Sequence, residues 1–185
     1  MHLLEAYAVV AGCLIDKPFI RSDPIALPKQ PFLTFHGFNP KGQTRQYSKW
    51  QLVIDDLLND SNFNYEIIQI GGINDYKYNN INTSYLGLTN YNTLAYLIQH
   101  CSLHFGFDSL PIHIASYYDK KIVGLYAHYS QNTGPYFSSP NNVILLEPDH
   151  KNIKPVFNEE DPLHRIDTID HKIISYSIEK LLNNE

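Results

Sequence analysis

The sequence predicts the α/β fold class: a single three-layer domain in which a mostly parallel sheet carries helices on both faces. Three observations predict it. From residue 31 onward, short runs of apolar and β-branched residues alternate with stretches of helical periodicity. Strands separated by helices need right-handed crossovers, which build parallel sheets buried on both faces. The chain has 185 residues, of which 43% are hydrophobic and 18% charged, enough for one domain that hides about 70% of its unfolded surface.

The elements follow in order. Residues 2–13 predict a short helix, with Leu3, Leu4, Tyr7, Ala8 and Ala11 at helical spacing. IDKPFIRSDPIALPKQP holds four of the 11 prolines, and each proline removes a donor and pushes the residue before it toward extended geometry. Residues 1–30 are therefore expected to be a helix and an extended linker of the kind that joins domains, and 31–185 the domain proper.

FLTFH (32–36) is the first buried strand, followed by the polar loop GFNPKGQTRQY. Ser48 is expected to cap a helix running to about Asn59, with Trp50, Val53, Ile54, Leu57 and Leu58 as its apolar stripe. NYEIIQI (64–70) is a second strand ending in Gly71 and Gly72, and SYLGL a short strand or bend. Asn90 or Asn92 caps a helix bearing Leu94, Leu97 and Ile98. SLHFGF (102–107) is the third main strand, and a helix from Ser109 to about Tyr118 follows it directly. KIVGLYA (121–127) and NVILLEP (142–148) are further strands, and a closing helix spans 167–182. The result is a Rossmann-like layer without internal repeats.

Charge and cysteines narrow the function. A net charge of −5 gives no basic excess to attract nucleic acid, so no nucleic-acid partner is expected. Cys13 and Cys101 stand in no metal-ligand spacing, so neither a disulfide framework nor a metal site is expected, and a reducing cytoplasm fits. The apolar N-terminus lacks a basic region and contains Glu5, which argues against a signal peptide. No apolar run approaches the roughly 20 residues that span a bilayer. Attachment to the inner membrane face is compatible with all of this.

In such a sheet, ligands bind at the carboxyl ends of the strands, beside helix N-termini. Four loops then matter: 36–47, 71–83, 86–92 and 106–111. Asp108 and Ser109 stand where a helix begins, a place whose open amides and dipole suit phosphate. The plainer alternative is that either residue simply caps that helix. His113, one turn on, faces a ligand or serves as an ordinary hydrogen-bonding histidine. Lys41, Arg45 and Lys49 could neutralise a diphosphate, or belong to a solvated loop. Gly71-Gly72 is a weak phosphate signal, since neither G-x-G-x-x-G nor a P-loop pattern is present; a tight turn explains it as well. Asp75 could accept from ribose hydroxyls, or be solvated. No G-x-S-x-G elbow, H-E-x-x-H pair or Ser/His/Asp order is evident, which favours a binding half-site over a self-contained hydrolase.

The order of these motifs resembles the C-terminal, nucleotide-sugar-binding half of GT-B glycosyltransferases, in particular the heptosyltransferase-like glycosyltransferase family 9. Residues 86-LGLTNYNTLAYLIQHCSLHFGFDSLPIHIA-115 are similar to the family's Leu-x-Gly-x-Thr, helix and Asp-Ser/Thr-Gly-x-x-His series, and 133-TGPY-136 to its Thr-Gly-Pro-Tyr loop. Arg45-Gln46-Tyr47-Ser48 lies where Lys-x-Trp-Pro is usual, and IIQIGG supplies the Gly-Gly strand. The likeness covers about 31–182, while the family's N-terminal Rossmann domain, which carries the acidic catalytic base, has no counterpart.

The resemblance implies a donor site for a nucleotide diphosphate sugar that needs no cofactor and no metal. Arg45, Asp108, Ser109, Leu110 and His113 would border the phosphates and sugar, and Asp75, Gly87, Leu88 and Thr89 the nucleoside. No catalytic residue carries over. The implied partners are the donor, an acceptor such as lipopolysaccharide or another glycan, and a companion N-terminal half or second protomer. Two departures stand out: Leu110 replaces the family's glycine, and Arg45 its lysine. A noncatalytic module that keeps the scaffold and binds nucleotide sugar or a partner is the alternative function.

Overall fold

The computed structural model describes residues 1–37, 46–127, 130–149 and 165–183. Its framework consists of β1 (Phe32–His36), β2 (Glu66–Gly71), β3 (Thr83–Leu86), β4 (Leu103–Phe107), β5 (Lys121–Leu125) and β6 (Val143–Leu146). Among the described residues these form one sheet of order β3-β2-β1-β4-β5-β6, and every pairing is parallel. The expected mostly parallel sheet is thus wholly parallel. The chain leaves β1 in one direction toward β2 and β3 and returns on β1's other side as β4. The strand order reverses between β1 and β4, the place at whose carboxyl ends such sheets hold their ligands.

Alternation along the strands sends side chains into two cores. Leu33, Phe35, Leu103, Phe105, Val123 and Leu125 meet Trp50, Val53, Ile54 and Leu57 of α2 (Trp50–Asn59), and Ile174, Ile178 and Leu181 of α6 (His171–Asn183), which comes after the short α5 (Ser130–Thr133) in the chain. On the other face, Ile68, Ile70 and Ile122 meet Ala95, Leu97 and Ile98 of α3 (Tyr91–His100), and Ile112 and Ala115 of α4 (Leu110–Tyr117). Phe35 anchors the centre: it stacks on Phe105 with centroids 4.7 Å apart and takes Trp50 edge-on at 5.2 Å. Each such aromatic pair contributes about 0.5–1.5 kcal/mol beyond its area.

Three local expectations need correcting. Ser48 does not cap α2: Lys49 stands at the N-cap with no side-chain cap bond. The Ser48 amide instead donates to Asp167 Oδ1 at 2.7 Å, Lys49 Nζ to the Asp167 carbonyl at 2.6 Å, and Tyr47 Oη to the Ile169 carbonyl at 2.8 Å. Tertiary clamping of the 167–169 segment has taken over the place of a local cap. The single helix expected over 167–182 is accordingly split into a 3-10 turn, Arg165–Thr168, and α6. Asp170 Oδ1 accepts from the Lys172 amide at 3.0 Å and starts a new helix there. The third concerns the helix after β4: it begins at Leu110, and Ser109 stands at its N-cap without a side-chain cap bond.

The N-terminal helix is α1 (Leu3–Ala11). Its ends are well formed: His2 and Glu5 make a capping box, and Gly12 closes it in the left-handed region at φ 64. Yet it buries no residue. The segment after it runs back along α3, where the Asp23 amide donates to the Asn92 carbonyl and Ser22 Oγ to Gln99 Oε1. Ile20, Ile25 and Leu27 join the second core there.

Candidate functional site

Because all strands are parallel, the four loops singled out from the sequence leave the same edge of the sheet. Gln69 of β2 fixes the second of them: its Nε2 donates to the Tyr76 carbonyl at 2.6 Å and its Oε1 accepts from the Tyr78 amide at 3.2 Å. Tyr78, 8% exposed, then donates its hydroxyl to the Gly37 carbonyl at 3.2 Å. Burial, with smaller help from the charges of Tyr76 and Asp75, pushes the Tyr78 phenol above its usual range. It remains a neutral donor that ties the β2 loop to the end of β1.

Asp75 turns inward. Its Oδ2 accepts from the Gly72 amide at 2.8 Å and lies 3.3 Å from His36 Nε2, and only 6% of its side chain is exposed. Gly71 makes room for it: the residue sits at φ +152, and a Cβ there would fall on Asp75 Oδ2. The Gly-Gly pair therefore serves to fold the loop around a carboxylate.

Sequence reasoning missed His36. It is the last residue of β1 and paired in register with Gly106 of β4, so it stands at the reversal of strand order. Its Nδ1 is 3.0 Å from Ser109 Oγ and its ring lies 4.7 Å from that of Phe107. The available signal was a polar residue closing an otherwise apolar strand just before a glycine.

At the end of β4, the Asp108 amide extends the ladder by donating to the Leu125 carbonyl at 2.9 Å. Its Oδ1 lies 4.0 Å from His113 Nε2. Ser109 Oγ donates to the Phe107 carbonyl at 3.0 Å, so the simple capping role is not what this hydroxyl does. Leu110 begins α4 with 49% of its surface exposed. His113 is exposed at the rim. Its pKa is lowered mainly by loss of hydration and further by His2, against the opposing pull of Asp108.

Beyond β2, Gly87 turns at φ +68 where a side chain would strike Ile73, and its amide donates to the Gly71 carbonyl at 2.9 Å. Leu88, 71% exposed, and Thr89 follow in that turn. The structure thus joins Asp75 to Ser109 through His36 and sets Asp108 beside His113. Residues 87–89 lie at the β3 end of the same edge. Arg45, with Lys41, lies outside the described residues.

The loop resembling Thr-Gly-Pro-Tyr is anchored from the N-terminus. His2 Nε2 is 3.1 Å from the Gly134 carbonyl, and its ring is 4.9 Å from that of Tyr136. Residues 128 and 129 of this stretch lie outside the described residues. Among the described residues, no group of three or more His, Cys, Asp or Glu side chains could hold a metal ion, and no helix is long and apolar enough to cross a membrane.

Among the described residues, a wholly parallel, doubly wound layer with polar side chains at the strand-order reversal defines a Rossmann-like domain. A model of glycosyltransferase family 9 (heptosyltransferase) matches residues 71–165, and the chain belongs to that family. Among solved structures, the glycosyl transferase family 9 protein of Veillonella parvula aligns over 84% of this chain and 47% of its own, at 16% identity and TM-score 0.63. E. coli ADP-heptose LPS heptosyltransferase II aligns over 96% and 50%, at 14% identity and TM-score 0.62. The E. coli heptosyltransferase WaaC, solved with ADP, aligns over 96% and 54%, at 12% identity and TM-score 0.62. The chain therefore spans about half the length of these structures. No curated protein sequence matches it.

Proposed function

We propose that this chain is the donor-binding half of a glycosyltransferase that takes a nucleotide diphosphate sugar for transfer to an acceptor such as lipopolysaccharide or another glycan. The observation that carries the reading is the position of Asp108-Ser109. The pair lies inside the family-matched segment and at the carboxyl end of β4, beside the reversal of strand order where such sheets hold their ligands. The relatives named for ADP-heptose and solved with ADP make these the first ligands to try.

In this reading Asp108 accepts from the sugar, the backbone at Ser109 and Leu110 faces the diphosphate, and His113 supports them. Arg45 offsets charge as the diphosphate leaves, the kind of electrostatic help worth several kcal/mol in other enzymes. Gly87, Leu88 and Thr89 border the base, and Asp75 the ribose end. The catalytic base and acceptor face come from a companion half, with 1–30 as the connecting segment. The exposed Val10, Leu14 and Phe19 there support that arrangement. The work is placed in the cytoplasm, at the inner face of the membrane where a lipid-linked acceptor would be met.

Calorimetric titration with ADP and ADP-heptose tests it. Asp108→Ala and Arg45→Ala are each expected to weaken binding without lowering the unfolding midpoint, and unchanged affinity in both variants would sink the site. The exposed Leu110 side chain at the start of α4 favours one second reading, a noncatalytic nucleotide-sugar-binding or interaction module. Binding without sugar release or transfer, even with a companion half supplied, selects it.

A further inference from the structure

We infer that His36 is a positioning residue that sets the orientation of Ser109 by bridging it to Asp75. The inference rests on the donor-binding reading above for its functional meaning, but its structural part stands separately. Three segments far apart in the chain converge on this imidazole. Ser109 lies 73 residues and Asp75 39 residues away in sequence, at 3.0 and 3.3 Å from opposite ring nitrogens. The pair is largely dry, with 14% of the His36 side chain and 6% of the Asp75 side chain exposed. A hydrogen bond in such surroundings is stronger than one in water, and an unmade one costs more.

The hydrogen-bond directions are informative. The Ser109 hydroxyl has one proton, and it points at the Phe107 carbonyl 3.0 Å away. The Asp75 carboxylate can only accept, so Nε2 donates to it, and Ser109 Oγ and Nδ1 lie within hydrogen-bond distance of each other. Asp75 is itself held by the Gly72 amide at 2.8 Å, and the Phe107 ring lies against that of His36, tilted by 42° with centroids 4.7 Å apart. His36 cannot swing without losing both partners.

The consequence falls on α4. A serine before a helix normally turns its oxygen to the first-turn amides. Ser109 does not, since its side chain makes no cap bond. By holding the hydroxyl backward, the Asp75–His36 pair leaves the start of α4 without its side-chain cap and facing the carboxyl edge of the sheet. The two donor-site loops, 71–83 and 106–111, are thereby locked in one mutual position, which reduces the ordering cost of binding a ligand that touches both.

Two measurements on the full chain test this. In hydrogen exchange, His36→Ala is expected to slow exchange of the Ile112 amide, because the freed Ser109 hydroxyl can turn to the start of α4 as a cap. His36→Asn, whose amide reaches the Nδ1 position, restores the faster exchange of the unmodified chain, whereas His36→Gln, reaching the Nε2 position, does not. Unchanged exchange in His36→Ala, or equal recovery with Gln, overturns the role. Should the alanine variant fail to fold, the Asn and Gln pair decides alone.

In ADP titration, His36→Ala and Ser109→Ala are each expected to weaken binding about tenfold, the scale of one hydrogen bond to a charged group. The double variant should lose about the same tenfold, because interacting residues are not additive. A loss near a hundredfold means that His36 does not act through Ser109. If the unmodified chain binds no ADP, the donor reading fails, and the exchange measurement still decides whether His36 sets the turn.

Discussion

The Asp75 carboxylate occupies the space that a side chain on Gly71 would need. The glycine and the aspartate are therefore a single device: the positive φ of one admits the inward turn of the other. Gly71→Ala is expected to cost about 1–3 kcal/mol from the left-handed backbone alone, and to expel Asp75 from its bonds to Gly72 and His36. A urea titration reads the loss, and an unchanged midpoint would show that the loop relaxes freely.

Leu110→Gly tests the departure from the glycine that the resemblance implies after Asp108-Ser109. The exposed leucine side chain goes, and ADP affinity is expected to rise several-fold. Helix stability falls by about 1 kcal/mol, the propensity difference for glycine. Calorimetry and a urea midpoint on the same variant separate the two effects. Affinity that falls with stability would mean that Leu110 does not narrow the site.

His104 makes stability depend on pH. The residue is fully buried on β4, with Nδ1 3.0 Å from Thr34 Oγ1 and no partner for Nε2 among the described residues. Burial, helped by nearby His36, lowers its pKa from 6.5 to about 3. Below pH 6.5 the unfolded chain takes up a proton that the folded chain refuses until about pH 3. The unfolded state then binds more protons, so this contribution is fully present above pH 6.5 and is lost as acid is added. The urea midpoint should fall across this window more steeply in the unmodified chain than in His104→Gln. Parallel slopes would remove His104 from the account.

His2→Ala should loosen the 130–137 segment, because His2 holds the Gly134 carbonyl and stacks near Tyr136. The effect should be local. Limited proteolysis is expected to cut that segment faster while the global free energy of unfolding falls by less than about 1 kcal/mol, the usual scale of one partly exposed hydrogen bond. Equal cutting rates would show that the segment holds itself.

The strand 32–36 was legible residue by residue because it is an apolar run bounded by Pro31 and Gly37. The cap of α3 was legible as Asn90 or Asn92 for a similar reason, and the structure selects Asn90, whose bonds to the Asn92 and Thr93 amides are local. Ser48 misled because its amide is used by Asp167, 119 residues away. His36 was hard to read for the same reason, its partners lying 39 and 73 residues away. Nothing near it in sequence announces a partner, and only the strand order β3-β2-β1-β4 brings positions 36, 75 and 109 to one corner. The resemblance located the turn at Asp108-Ser109; which way the serine hydroxyl points depended on those distant groups.

The central seam of the sheet has a consequence for how the molecule is made. Leu33 pairs in register with Leu103, and Phe35 with Phe105, so β1 meets its second neighbour only after some seventy further residues have left the ribosome, several seconds at about 5–20 residues per second. Through that interval the growing chain presents an unpaired strand edge flanked by Phe32, Leu33 and Phe35, the kind of edge on which other chains assemble. Translation speed across β2, β3 and α3, and chaperone supply during it, are therefore expected to affect the yield of native protein.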